Sequence, residues 1–265
     1  MAENEKEIKK IVKEHYAKRM QQEDSSCCAP RVQQESTCCP TAARSRAAEY
    51  YSKEELAKLP QDAVENYMGC GNPIALAELG EGEVVLDLGS GAGLDCLFAA
   101  QKVGDEGKVL GLDMTLEMIK QARENSKKLC VDNVEFRLGE IEQMPIESNS
   151  IDVVISNCVI NLSPDKDAVF RESYRVLRPR GRLCVSDIVL IGELDSEVKN
   201  DINCWVSCIA GALPQEEYLD KISAAGFDKV EVVDSTEWVP KSRPEEIQQS
   251  LKGKLASIKV KAFKP

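Results

Sequence analysis

The chain has 265 residues, of which 43% are hydrophobic and 30% are charged, a composition typical of one globular domain with at most a small appendage. Its formal net charge of −11 disfavours nucleic acid and anionic membrane surfaces as partners, because both are bound mainly through Lys and Arg. No apolar run reaches the roughly 20 residues of a membrane span, and the charged N-terminus lacks the apolar core of a secretion signal. We therefore expect a cytoplasmic protein that acts on a small molecule.

Residues 1–50 differ from the rest of the chain. A charged helix is predicted over about 4–22, and the polar, proline-containing segment SSCCAPRVQQESTCCP that follows is typical of a loop or mobile arm. Ser52 and Glu55 then have the spacing of a capping box, which predicts the start of a helix. We divide the chain into an N-terminal helix with a Cys-rich arm, residues 1–50, and a main domain, residues 51–265.

From residue 83 onward, segments with strand character alternate with helical segments. Strands are predicted over 83–89, 108–114, 134–141, 151–159, 181–190, 229–239 and 255–264. Helices are predicted after the first strand to about 103, and over 115–129, 165–178, 195–210 and 214–225. This alternation predicts an α/β fold, with a seven-stranded, mostly parallel sheet covered by helices on both faces. The last two strands are close in sequence and are expected to be antiparallel.

The first strand runs into a glycine-rich turn, DLGSGAGLD, that opens the next helix. Gly89, Gly91 and Gly93 allow a tight turn and the close approach of a ligand to the backbone around Ser90. Asp113 ends the next strand, 22 residues after Gly91, where a carboxylate can bind both hydroxyls of an adenosine ribose. The spacing G-x-G-x-G differs from the dinucleotide pattern. Asp87, just before the turn, suits a cationic ligand, and S-adenosylmethionine combines adenosine with a sulfonium.

Eleven cysteines are present, at 27, 28, 38, 39, 70, 96, 130, 158, 184, 204 and 208. An odd number without a signal peptide predicts mostly thiols rather than a disulfide framework. Cys158 follows a buried strand, where ligands of open parallel sheets bind, and Cys70 lies between two glycines, so neither position suits core packing. Cys204 and Cys208 are four residues apart and are expected to share a helix face, so that spacing alone allows either as a ligand.

Several motifs together resemble the arsenite methyltransferases, a family of class I S-adenosylmethionine-dependent methyltransferases with a Rossmann-like sheet. They are GCGNP, VLDLGSGAGLDC, GLDMT, FRLGEIEQMP, ISNCVINLSPDK, YRVLRP, SDIVL and CIAGAL, spread from about Ser52 to Leu213. The first and the last of these, with SNCVINL, are the most specific, because they place three cysteines in separate elements. One departure is Met68, which stands where many relatives have an aromatic residue; Tyr67 precedes it.

The resemblance implies that Cys70, Cys158 and Cys208 bind trivalent arsenic and that Cys27 or Cys28 is a further redox or delivery cysteine. It implies a role in arsenic detoxification, with arsenite or its thiol conjugates as substrate and S-adenosylhomocysteine as product. The cofactor contacts that it implies are Asp87, Gly89, Ser90, Gly91, Gly93, Asp113, Met114, Glu140, Ile141 and Asn157.

The chemistry of the residues agrees with this interpretation. Nitrogen and oxygen acceptors usually need a base, most often His, and His15 is the only histidine, outside the predicted sheet. Arsenic attacks through a lone pair and needs soft thiolate ligands instead. Methylation oxidises arsenic by two electrons, so we expect Cys27, Cys28 or the 38–39 pair to close a disulfide with a site cysteine. A thioredoxin- or glutathione-type donor would then reduce that disulfide.

Other readings of the sequence stay open. The adjacent Cys pairs lack the C-x₂-C spacing of structural zinc sites, so no zinc is expected. On the same fold, the chain could instead methylate a quinone or another carbon or oxygen acceptor. It could also be a non-catalytic protein that binds arsenicals or thiophilic metals through its cysteines.

Overall fold

The structure of the protein is a computed structural model that describes residues 2–24, 45–240 and 245–265. Cys27, Cys28, Cys38 and Cys39 lie outside the described residues. The strands are β1 Val84–Leu88, β2 Lys108–Asp113, β3 Val134–Leu138, β4 Ile151–Asn157, β5 Leu177–Leu190, β6 Asp228–Glu237 and β7 Leu255–Phe263. The helices are α1 Ala2–Asp24, α2 Lys53–Leu56, α3 Gln61–Glu65, α4 Pro73–Ala77, α5 Leu94–Val103, α6 Leu116–Lys128, α7 Lys166–Val176, α8 Ser196–Asn200, α9 Ile202–Trp205, α10 Gln215–Ala224 and α11 Glu245–Leu251.

The seven strands form one sheet in the order β3-β2-β1-β4-β5-β7-β6. Strands β1 to β5 pair in parallel, whereas β7 is antiparallel to both of its neighbours, β5 and β6. The predicted α/β fold is confirmed, and so is the antiparallel pairing of the last two strands. The position of β7 between β5 and β6 was not predicted, because the local sequence pattern does not indicate which earlier strand a C-terminal strand pairs with.

Neighbouring residues of β1 enter different cores, which explains why the strand is apolar except for Asp87. Val85 packs with α5 and α6 on one face of the sheet. Leu86 and Leu88 pack with α7 and α10 on the other face. The parallel strands are therefore covered on both sides, and the open surface of the sheet is its edge at the carboxyl ends of β1, β2 and β4.

A third apolar cluster lies at this edge and combines distant parts of the chain. It contains Val12 of α1, Leu162 and Ile209, together with three cysteines that the sequence singled out, Cys70, Cys158 and Cys208. No helix in the described ranges has both the length and the apolar character needed to cross a bilayer. Helix α1 instead packs against α6 and buries Val12, which is 1% exposed.

The predicted helix 195–210 is wrong in its second half. The Asp201 carboxylate accepts a hydrogen bond from Asn203 N at 2.9 Å and starts a new short helix, α9, which ends at Trp205. Cys208 follows with a φ of 62°, a left-handed conformation that no α-helix continues through. Cys204 and Cys208 therefore do not share a helix face.

Two short helices before the main sheet were missed, α3 and α4. Helix α4 had a local signal, because the Asn72 side chain caps it by accepting from Ala75 N at 2.9 Å and Pro73 occupies the first turn. Asn followed by Pro is a helix-start pattern as well as a turn pattern. The GCGNP segment thus leads directly into a helix.

Candidate functional site

The glycine turn after β1 has the backbone conformation that only glycine adopts easily. Gly89 and Gly91 have φ values of 66° and 51°. A side chain at Gly89 would overlap Val159, whereas one at Gly91 would meet nothing within 4 Å. The backbone of Gly91 is therefore open to a ligand. Ser90 beside it has a buried hydroxyl without a hydrogen-bond partner among the described residues, a polar group that a bound molecule could satisfy.

Asp113 at the end of β2 is fixed by the same turn. Its two carboxylate oxygens accept from Gly91 N at 3.0 Å and from Thr115 N at 2.8 Å. Burial raises the pKa of Asp113, while these two backbone donors act in the opposite direction and favour the carboxylate. Each oxygen has a further lone pair, so the side chain can accept two hydroxyl hydrogens as well.

A cavity of about 1030 Å³ opens above this edge. Seven of the predicted cofactor residues line it: Gly89, Ser90, Gly91, Asp113, Met114, Ile141 and Asn157. The cavity lies at the sheet edge where ligands of doubly wound folds bind. The residues present therefore fit an adenosine-containing cofactor.

The other three predicted cofactor residues lie around the cavity rather than in its lining. Gly93, with a φ of 91°, packs against Phe136. Asp87 is buried and accepts a hydrogen bond from the Cys96 thiol at 3.2 Å. Glu140 forms an ion pair with Lys9 of α1 at 2.7 Å.

Asp95 is a lining residue that the sequence reasoning missed. It lies in the first turn of α5 and accepts from Tyr51 Oη and, at 3.0 Å, from Asn157 Nδ2. Burial raises the pKa of Asp95 to about 6 and that of Asp87 well above its ordinary value; for Asp87 the neighbouring Asp95 adds to the effect. Two buried acids next to the glycine turn favour a ligand that carries positive charge. The sequence signal that could have identified Asp95 was the GLD segment at the end of the glycine turn, where the next helix begins.

Three of the four cysteines in the apolar cluster, Cys70, Cys158 and Cys208, lie close to one another. Cys70 and Cys158 are joined by a disulfide with a Cα–Cα distance of 5.9 Å. The Cys208 thiol donates a hydrogen bond to Cys158 O at 2.9 Å. All three are buried, with exposed fractions of 1%, 6% and 8% for Cys70, Cys158 and Cys208. Three separate elements thus bring Cys70, Cys158 and Cys208 into one cluster, in which the Cys208 sulfur contacts the Cys158 carbonyl. Free thiols were expected, but the sulfurs of Cys70 and Cys158 are paired.

Asn157, the last residue of β4, connects the Cys70 turn to the rest of the site. Its Oδ1 accepts from Cys70 N at 2.9 Å, and its Nδ2 donates to Gly71 O at 3.0 Å and to Tyr67 Oη at 2.7 Å. A side chain at Gly71 would overlap the Ser186 hydroxyl. The GCG motif is therefore needed for close packing against the ends of β4 and β5. Tyr67 supports the same turn by donating to Gly71 O.

A buried carboxylate adjoins the disulfide. One Asp187 oxygen and the Cys70 and Cys158 sulfurs all lie within 4.8 Å of one another, an arrangement of metal-ligand atoms found among the described residues. Burial raises the pKa of Asp187 to about 7. Burial also raises the pKa of the Cys208 thiol, an effect that Asp187 reinforces and that Arg46 and Lys166 partly oppose. The raised pKa of Cys208 shows that the thiol lies in a buried surrounding, where it keeps its proton in the absence of a ligand. A ligand that binds the sulfur and displaces this proton would suit the site better than water.

Helix α1 forms part of the wall of the cavity. Lys9, Val12 and Tyr16 line it, and Lys9 pairs with Glu142 at 3.1 Å in addition to Glu140. Tyr16 Oη donates to Val206 O at 3.3 Å, close to Cys208 in sequence. The N-terminal helix therefore contacts both the adenosine end and the cysteine end of the site.

Comparison with known proteins agrees with this geometry. Residues 79–233 match the family model described as a methyltransferase domain. The crystal structure of an arsenic(III) S-adenosylmethionine methyltransferase from Chlamydomonas reinhardtii is 35% identical and superposes with a TM-score of 0.71. The match covers 86% of this chain and 75% of that one. The chain belongs to the arsenite methyltransferase family.

Curated relatives extend this result beyond algae. The arsenite methyltransferase of Halobacterium salinarum is 47% identical over 192 residues, which are 71% of this chain and 49% of that protein. The human arsenite methyltransferase is 36% identical over 192 residues, 69% of this chain and 51% of the human protein. The chain thus spans about half the length of the curated relatives it matches. The predicted family and fold are confirmed, whereas the roles of individual site residues stay predictions.

Proposed function

We propose that this chain methylates trivalent arsenic with S-adenosylmethionine and that the thiolates of Cys70, Cys158 and Cys208 hold the arsenic. The observation that supports this best is that these three cysteines cluster at the sheet edge, beside a cavity that fits the cofactor. Cys158 and Cys208 both line that cavity. A role in arsenic detoxification follows from this activity.

Three thiolates are the ligand set that As(III) requires. They replace the hydroxides of arsenite, leaving the arsenic with one lone pair and no proton to remove. The apolar cluster around the cysteines excludes water and holds the substrate in one orientation. No general base is needed, which agrees with the place of His15 away from the cofactor cavity. The Cys70–Cys158 disulfide has to be reduced before arsenic can bind all three sulfurs.

S-adenosylmethionine supplies an activated methyl group when bound, and the lone pair of the thiolate-held arsenic is the nucleophile that takes it. The residues of this chain orient the two reactants. Gly91 and Asp113 would hold the adenosine, with Met114 beside them, and Asp95 would face the positively charged end. Asn157 joins the two halves of the site, because it contacts both Asp95 and the Cys70 turn.

Electron balance requires a second role for cysteine. Formation of the arsenic–carbon bond oxidises the arsenic by two electrons, and the pairing of two thiols as a disulfide returns it to the trivalent state. The Cys70–Cys158 disulfide supports such pairing within the site itself. Cys27 or Cys28, and the 38–39 pair, remain candidates for exchange with it, and a thiol reductant then completes the cycle.

The test is an assay with arsenite, labelled cofactor and a thiol, in which methylated arsenic is separated and counted. We expect labelled mono- and dimethylated arsenic from the native chain. We expect at least a 100-fold loss for Cys158→Ser, because one arsenic ligand is removed. Cys130→Ser is the matched control, since Cys130 is an exposed thiol that is not among the described residues lining the cavity, and should keep full activity.

Two outcomes would contradict the proposal. Cys158→Ser with native activity and turnover of a quinone would favour a carbon or oxygen acceptor. Stoichiometric arsenite binding without any methyl transfer would favour a sequestering protein.

A further inference from the structure

The two acids beside the glycine turn receive hydrogen bonds from neutral groups. Asp95 accepts from the Tyr51 hydroxyl and, at 3.0 Å, from Asn157 Nδ2. Asp87 accepts from the Cys96 thiol at 3.2 Å. The exposed fractions of Asp87 and Asp95 are only 2% and 6%. A buried carboxylate needs a cation nearby to stay ionised, and none of these three donors supplies one.

The ionisable groups that act most strongly on this pair are acids, a thiol and phenols. Burial raises the pKa of Asp87, and the negative charges of Asp95 and Asp113 raise it further. Burial also raises the pKa of Asp95 to about 6, against the opposing effect of its two hydrogen-bond donors. Tyr51 and Tyr67, which interact with Asp95, stay neutral because burial raises their pKa values well above the ordinary value.

Positive charge is scarce in the described lining of the cofactor cavity. Its one cation there, Lys9, already pairs with Glu140 and Glu142. Ser90, in the same lining, has a buried hydroxyl without a hydrogen-bond partner among the described residues, which independently indicates that a bound molecule completes this end of the cavity. Since Asp95 lines the cavity too, that molecule is the available source of positive charge for the acids.

We propose that Asp87 and Asp95 together retain one proton in the unliganded protein and release it to solvent when the cationic cofactor binds. The positive charge of S-adenosylmethionine takes the place of that proton. Methyl transfer removes the sulfonium charge, so the pair binds the product less strongly than the cofactor and takes the proton back when the product leaves. The proposal rests on the proposed function only for the identity of the cofactor, and it involves neither arsenic nor the cysteines.

Proton release makes cofactor affinity depend on pH. If binding releases one proton, affinity rises by about tenfold per pH unit wherever the unliganded pair is still protonated. S-adenosylhomocysteine keeps the ammonium group but lacks the sulfonium, so its affinity should rise less. Adenosine carries neither charge, and its affinity should not change. A range of about pH 5.5 to 7 suits the comparison, because α-amino groups with an ordinary pKa of about 7.7–8.0 stay protonated there.

The experiment is calorimetric titration of the native chain at about pH 6.5 with each of these three ligands, in the absence of arsenic. Each titration is repeated in phosphate and in imidazole, whose ionisation enthalpies differ, so that the difference in binding enthalpy counts the protons released. Adenosine tests Asp113, because it presents the ribose hydroxyls without positive charge. We expect about one proton for S-adenosylmethionine, fewer for S-adenosylhomocysteine and none for adenosine.

Two variants locate the proton. Asp95→Asn should release less than about half as many protons as the native chain on binding S-adenosylmethionine, because the remaining acid no longer faces a second carboxylate. Asp87→Asn should give the same result and serves as the second variant. Asp105→Asn, at an exposed position after α5 and outside the described cavity lining, is the matched control and should release as many protons as the native chain.

Binding of S-adenosylmethionine without proton release would overturn the proposal. Equal release with adenosine would also overturn it and assign the proton to Asp113, as would undiminished release from both Asp→Asn variants at the pair. The ligand series uses the native chain and so decides the question without either variant. A failure of this proposal leaves the cofactor bound and the arsenite assay unaffected, whereas a chain that binds no cofactor would contradict the proposed function as well.

Discussion

The Asn157 side chain connects the turn that contains Cys70 to Asp95 of the cofactor cavity. It ends β4, accepts a hydrogen bond from the backbone of Cys70 and donates to Tyr67, Gly71 and Asp95. Because it touches both the Cys70 turn and Asp95 of the cofactor cavity, we expect Asn157 to set the distance between the two reactants of the proposed reaction. We regard it as a positioning residue.

Replacing Asn157 by Asp keeps the size of the side chain but removes its NH₂ donor and places an acid beside Asp95. We expect the free energy of unfolding to fall by about 1–3 kcal/mol, since buried acceptors lose their partner. Methylation by the remaining folded protein should fall about 10- to 100-fold because the Cys70 turn shifts. The checks are urea unfolding and the arsenite assay, with kcat and KM measured separately.

Asn133→Asp is the matched control for this change. Asn133 also donates through Nδ2 to two carbonyls, those of Ala100 and Gly104, at 3.3 and 2.9 Å, away from the cavity. The Asn133→Asp variant should show a comparable fall in the free energy of unfolding and keep its activity per folded molecule. Equal activity losses in the two variants would show that Asn157 acts only through stability.

Helix α1 is the element that covers both ends of the site. Lys9 bridges to Glu140 and Glu142 near the adenosine end, and Tyr16 reaches Val206 near Cys208. Three residues of this helix, Lys9, Val12 and Tyr16, line the cofactor cavity, so the position of the helix shapes the cavity. The ion pairs of Lys9 hold the helix in that position, and we expect them to affect cofactor affinity.

Lys9→Ala should weaken cofactor binding about two- to fivefold at low salt, the range expected for loss of partly exposed ion pairs. The difference from the native chain should shrink at high salt because these charges are screened. Calorimetric titration with S-adenosylhomocysteine at two salt concentrations measures both effects. Lys13→Ala, at an exposed position of the same helix, should bind like the native chain. A salt-independent loss in Lys9→Ala would contradict this explanation.

The stability of the whole molecule depends on a carboxylic acid that folding buries. Asp187 is 0% exposed and accepts from Ile188 N at 2.9 Å and from Tyr218 Oη at 3.1 Å. Burial raises its pKa from 3.8 to about 7. Between these two pH values the unfolded chain loses the Asp187 proton, while the folded protein keeps it. The contribution of Asp187 to stability is therefore largest below pH 3.8 and falls until about pH 7.

Asp187→Asn cannot lose that proton, so its free energy of unfolding should not fall over this range. Relative to the native chain it should gain as much as about 4 kcal/mol between pH 4 and pH 8, since each pKa unit is worth about 1.36 kcal/mol. Urea unfolding of both proteins in the disulfide form, at intervals across this range, gives the comparison. Asp132→Asn, at an exposed position, is the control, and its free energy of unfolding should change with pH in the same way as that of the native chain. If the free energy of unfolding of Asp187→Asn had the same pH dependence as that of the native chain, the raised pKa assigned to Asp187 would be refuted.

Local patterns in the sequence determined the strands and most helices. Alternating strand and helix periods specify an α/β sheet, and the glycine turn followed by Asp113 predicts the adenosine end, because each depends on residues near one another in the chain. The GCGNP, SNCVINL and CIAGAL motifs singled out the three cysteines that cluster at the sheet edge. The same reasoning wrongly continued one helix through Cys208, since a tertiary contact overrides helical spacing there: Trp205 Nε1 donates to Leu162 O at 3.2 Å.

Only the tertiary structure decided what meets at the edge of the sheet. Cys70 and Cys158 are 88 residues apart, and their pairing depends on how β4, β5 and the turn before α4 pack, as does the proximity of Asp187. The cover provided by α1 depends on contacts between the N-terminal helix and the middle of the sequence. Periodicity and spacing report interactions within about one element of structure, whereas convergence of distant residues is fixed by crossovers and packing that no short stretch encodes.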